Sequence, residues 1–114
     1  MDKEKLNLLL DRLLEKTKAG ELEWQTTISK STFLVALKDT AISVTKISDD
    51  RYNFDFRNDM GDTVDSVIIS ETDLSDNPFV ESGWGKARQI FALAHNQALK
   101  PEQTVDRILE QLAA

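Results

Sequence analysis

The segment Tyr52-Asn53-Phe54-Asp55-Phe56-Arg57 alternates aromatic with polar side chains. Successive side chains of a strand point to opposite faces, so this run places three rings on one side of a sheet and Asn53, Asp55 and Arg57 on the other. A strand of that kind is stable only with paired neighbours and an apolar layer across its ring face. The rest of the chain has to supply both.

Neighbours are legible on either side. Thr32-Phe33-Leu34-Val35-Ala36-Leu37 is rich in strand formers, Lys38-Asp39-Thr40 has turn chemistry, and Ile42 and Val44 then alternate with Ser43 and Thr45 as far as Ile47. Ser48-Asp49-Asp50 turns the chain into the aromatic strand, and Asn58-Asp59-Met60-Gly61-Asp62 turns it out again into Thr63–Ser70. Four strands joined by short turns predict an antiparallel meander. The covering layer is helical: Leu6, Leu9, Leu10, Leu13 and Leu14 recur at spacings of three and four, predicting a helix over residues 2–19 with Lys16 and Lys18 at its negative pole and Gly20 beyond its end. A second helix after Gly85 runs to about Leu99 with Ala87, Ile90, Phe91, Ala94 and Ala98 on one face, and Pro101 breaks or kinks it. Val105, Ile108, Leu109 and Leu112 form a third apolar stripe. The expected fold is one α+β domain over residues 1–114: an N-terminal helix, a four-stranded antiparallel meander, and two C-terminal helices packed on one sheet face. Residues 21–31 show no period, and Leu22 and Trp24 within them are expected to cap the edge of the core. Residues 71–82 read as a connection, with Asn77-Pro78 suited to start a short helical turn.

A length of 114 residues with 40% apolar and 30% charged side chains is enough to bury a core without staples. There is no cysteine, which removes disulfides, thiolate metal sites and cysteine nucleophiles. Met1-Asp2-Lys3-Glu4-Lys5 and the interruptions at Asn7, Asp11 and Arg12 do not make the unbroken apolar core of a signal peptide. A soluble, cytoplasmic protein without membrane contact is expected. The net charge is −6, and residues 39–80 carry ten acidic groups against Lys46, Arg51 and Arg57, a local balance of −7. Such a segment repels phosphates and disfavours direct nucleic-acid binding.

The search for chemistry turns up near-misses. His95 is the single histidine and lies just outside the apolar stripe of its helix, the usual place of a structural or surface imidazole. With one histidine and no cysteine, zinc would need unusual carboxylate ligation. No Gly-x-Ser-x-Gly elbow is present for a serine nucleophile. Ser82-Gly83-Trp84-Gly85-Lys86 approaches a phosphate loop, but that motif needs glycine where Val80 stands and Ser or Thr where Ala87 stands. The glycines are better read as making room for Trp84. Asp59, Asp62 and Asp65 around Gly61 suggest a calcium loop, yet Gly61, Val64 and Ser70 occupy positions that an EF-hand fills with an acid, a glycine and a glutamate. No catalytic residue, cofactor site or metal site is therefore expected, and no enzyme.

A leucine helix, Gly20-Glu21-Leu22-Glu23-Trp24 after it, an aromatic strand, a Gly-Asp turn and the closing Ile-Leu-Glu-Gln-Leu resemble a loose group of short bacterial and phage-encoded α+β proteins of uncharacterised function. That resemblance implies no site residues. Size and acidity are also similar to type III secretion chaperones, which would imply a dimer that binds extended segments of effectors. Those chaperones place a helix between the third and fourth strands, where this chain has Gly61-Asp62.

What remains is a surface. Asp49, Asp50, Asp55, Asp59, Asp62 and Asp65 are expected to form an acidic sheet-and-turn face that binds another protein, one with a basic surface, in a regulatory or accessory role. The rival reading of the same residues is a nucleic-acid mimic that inhibits a DNA- or RNA-binding protein. Leu8 and Leu93, off the main stripes, and the two-sided apolar strand at 33–37 are the sequence's argument for a homodimer.

Overall fold

The computed structural model describes residues 2–71 and 83–113. Helix α1 spans Lys3–Lys18. Its start is set by Asp2, whose Oδ1 accepts from the Lys5 amide at 2.7 Å and satisfies one of the free donors of the first turn. Its end is a Schellman closure: Gly20, at φ 73°, donates to the Thr17 carbonyl and the Glu21 amide donates to that of Lys16. The Lys16 ammonium lies 2.7 Å from the Glu21 carboxylate across the same turn, and that hydrogen bond raises its pKa above the ordinary lysine value.

Five strands follow, β1 Trp24–Thr26, β2 Thr32–Ala36, β3 Ala41–Ser48, β4 Arg51–Arg57 and β5 Thr63–Ser70, paired antiparallel in chain order. The expected meander is present with one strand more. The extra one, β1, sits in the stretch without a period, because three residues are too few to show one. Its pairing with β2 brings Trp24 opposite Val35. Cross-strand register then carries the row through Ile42 to Phe56, and the next row runs Phe33–Val44–Phe54–Val67. These rows make the buried face. The opposite face carries Leu34–Ser43–Asp55–Ser66 and Thr32–Thr45–Asn53–Ile68. Two bulges bend the ladder, with Ile47 the extra residue on β3 and Val64 the extra residue on β5.

Helix α2 spans Gly83–Leu99, so Trp84 and Gly85 belong to the helix rather than preceding it. Ala87, Ile90 and Ala94 are fully buried against Leu10, Leu13 and Leu14 of α1 and the rings of Phe33 and Phe54 in one core. Gly83 starts α2 beside both layers, where a Cβ would make ordinary van der Waals contact with Leu10 Cδ1 at 3.7 Å and Ile69 Cγ2 at 3.8 Å. Lys86 is 6% exposed and sends its ammonium to Asp11 of α1 at 2.7 Å, tying the two helices together.

Helix α3 spans Pro101–Ala113 and departs from expectation. α1 and α2 supply the layer over the sheet, whereas no residue of α3 is buried. The junction explains the departure. Pro101 has no amide to continue the α2 ladder, and Lys100 adopts φ 50°, a left-handed conformation that redirects the chain before its carbonyl accepts from Gln103 and Thr104 to start α3. The turn expected at Asn77-Pro78 lies outside the described residues.

Candidate interaction surfaces

The six aspartates singled out above come to four places. Asp49 and Asp50 form the β3–β4 turn, while Asp59 and Asp62 belong to the β4–β5 turn. Those turns lie at opposite ends of β4, roughly 20 Å apart at 3.3 Å per residue over its seven residues. Asp55 stands mid-strand on the face away from the helices and accepts from the Ser66 hydroxyl. Asp65 pairs with Phe56 and so belongs to the helix-side face. Strand alternation and turn placement spread one dense stretch of sequence around the sheet. Nearby, the β4–β5 turn is built by Asn58, whose Oδ1 accepts from the amides of Met60 and Asp62 at 3.0 Å each, with Gly61 at φ 84°.

The other sequence candidates are occupied by packing. The His95 ring meets Phe33 edge-on at 5.7 Å between centroids and lies 6.3 Å from Phe91, with Nδ1 3.3 Å from Asn96 Oδ1. Lys86, the lysine of the near phosphate loop, is committed to Asp11. Trp84 carries the Arg88 guanidinium 5.6 Å above its ring. Among the described residues no three carboxylates or imidazoles converge as a metal site, and no helix is long and apolar enough to cross a membrane. Of the residues named for a dimer, Leu8 is 56% exposed and Leu93 packs against the core.

Among the described residues two apolar surfaces stand out as lacking a covering layer. The first is the stripe of α3, in which Val105, Ile108, Leu109 and Leu112 are 53%, 47%, 59% and 77% exposed. The sequence showed this stripe but not that it would stay bare. Alongside it Glu102, Asp106 and Glu110 recur at every fourth residue and form one acidic row. The second is a groove of about 380 Å³ between the first turns of α1 and one end of the sheet. Leu9, Leu37, Ile42, Phe56 and Val64 make its apolar walls, and Lys5 and Arg57 stand at it as cations with no carboxylate among the described lining residues. Arg57 Nε is buried and has no hydrogen-bond partner among the described residues. Nothing in the sequence marks this groove, because its residues come from α1, the β2–β3 turn, β3, β4 and a bulge on β5.

No known protein family, curated protein or solved structure matches this chain. The likenesses to phage-type α+β proteins and to secretion chaperones therefore draw no support from comparison, and function has to be argued from the surfaces.

Proposed function

We propose that this chain is a non-enzymatic protein–protein interaction module whose binding element is α3. One observation carries the reading: a thirteen-residue helix with a stripe of four large apolar side chains buries none of them against its own chain. Short isolated helices are marginal in water, and an amphipathic helix gains most of its stability by covering its apolar face. Its occupant is a protein rather than a lipid surface. The row Glu102, Asp106 and Glu110 against Arg107 alone leaves α3 at −2, the wrong sign for an anionic bilayer and the right sign for a groove with basic edges.

In this reading the acidic turns act at longer range. Asp49, Asp50, Asp59 and Asp62 add to a field that draws in a basic partner, while the apolar contact on α3 holds it. The nucleic-acid mimic would use the acidic turns and leaves the bare apolar stripe of α3 without a role.

The test is capture from a lysate of the native host with the wild-type chain and with Ile108→Asp/Leu109→Asp, each bait tagged beside an untagged copy. The expected result is a set of captured chains, the untagged copy included or not, that the variant loses. An identical set from both baits would overturn the reading.

A further inference from the structure

We propose that the occupant of the α3 stripe is a second copy of this chain, with α3 of each protomer lying in the groove between α1 and the sheet end of the other. This rests on the reading of α3 as the binding element and adds the identity of its partner.

The two bare surfaces match in chemistry. The stripe contributes Val105, Ile108, Leu109 and Leu112, and the groove is walled by leucine, isoleucine, phenylalanine and valine. Their edges carry opposite charge. α3 runs an acidic row beside its stripe, and the charged side chains lining the groove among the described residues are Lys5 and Arg57. Among the described residues Arg57 takes part in no ion pair, and its buried Nε has no acceptor, which leaves the guanidinium to meet a carboxylate of the second copy.

The dimensions match as well. Val105 to Leu112 spans seven residues of helix, about 10 Å at 1.5 Å per residue. The groove crosses the ends of β3, β4 and β5, two inter-strand spacings, also about 10 Å.

Pairing α3 with α3 is the weaker arrangement for the same stripe. In an antiparallel helix pair like flanks meet, so the acidic rows would face each other. A two-turn helix in one groove also falls short of the ~800 Å² per partner usual for a stable interface, and reciprocal exchange about a two-fold axis doubles the contact.

The test uses purified full-length chain and light scattering across a wide concentration range, with circular dichroism as the check on folding. Wild type is expected to reach twice the 12.9 kDa monomer mass. Groove reversal (Lys5→Glu/Arg57→Glu) and helix reversal (Glu102→Lys/Asp106→Lys/Glu110→Lys) are each expected to halve that mass. Mixing the two reversed chains restores it, because each then offers the other a complementary helix and groove. Leu37→Asp/Val64→Asp, at positions 41% and 63% exposed, is a second groove variant that spares the core and is also expected to be monomeric. A wild-type monomer at every concentration, a dimer indifferent to these changes, or reversed chains that stay monomeric when mixed would each overturn the proposal. A monomer that still captures other chains through α3 removes this inference alone, whereas a monomer that captures nothing removes the functional reading with it.

Discussion

The indole of Trp24 donates from Nε1 to the hydroxyl of Thr17 at 3.1 Å, and that hydroxyl donates to the Leu13 carbonyl at 2.6 Å. Trp24 is 2% and Thr17 6% exposed, so a buried three-member relay joins the edge strand β1 to the last turn of α1. Thr17→Val keeps the shape and removes the acceptor, leaving a buried N–H unpaired at a cost of about 1–3 kcal/mol. Thr17→Ser is expected to retain most of that. Urea unfolding followed by tryptophan fluorescence measures both.

Lys86 and Asp11 make an asymmetric pair, because the lysine side chain is 8% exposed and the aspartate 54%. Asp11→Ala strands a buried ammonium, and with the half-exposed partner tempering the loss the cost is expected to be about 1–2 kcal/mol. Lys86→Met removes the charge that needs a partner and is expected to cost less. The order of the two midpoints in one denaturation series checks the claim.

Ile90 and Ile108 occupy equivalent places in two helical stripes but meet different surroundings, 0% against 47% exposed. Ile90→Ala is expected to destabilise the domain by about 2–5 kcal/mol through the cavity it leaves. Ile108→Ala, measured on dilute monomer, is expected to stay within about 0.5 kcal/mol of wild type. Thermal unfolding of the pair separates them.

Ser43 is 1% exposed, and its hydroxyl has no hydrogen-bond partner. Ser43→Ala removes an unsatisfied buried group and is expected to leave stability unchanged or raise it by up to about 1 kcal/mol. A melting temperature below that of wild type would contradict this.

At the β4–β5 turn Gly61 holds φ 84°. Gly61→Ala forces a side chain into left-handed backbone and is expected to cost about 1–2 kcal/mol, although open space surrounds the new methyl. Gly61→Asn, which tolerates that region better, is expected to cost less; paired chemical denaturation curves would show the order.

How much was readable from residues differs by element. Tyr52, Phe54 and Phe56 announce β4 because alternation over six residues has a single structural solution with a buried face. The leucines of α1 are equally plain, and Gly20 marks the helix end because few other residues take its conformation. β1 escaped because Trp24-Gln25-Thr26 is too short for a period, and its pairing with β2 is a tertiary fact. The candidate surface was least legible: Asp50, Asp55, Asp59 and Asp65, close in the chain, are sent to opposite sheet ends and faces by turns and pleats.

By itself the sequence determined the local order: which segments are helix or strand, which face of each is apolar, and where turns must fall. Those follow from side-chain period and backbone preference, which act over a few residues. Only the tertiary structure decided that α1 and α2 pack over the sheet, that Lys100 and Pro101 turn α3 away with its stripe bare, and that Lys5, Phe56, Arg57 and Val64 meet at one groove. An apolar stripe records that a face needs covering. Whether its own chain covers it depends on where the preceding elements have already placed the core.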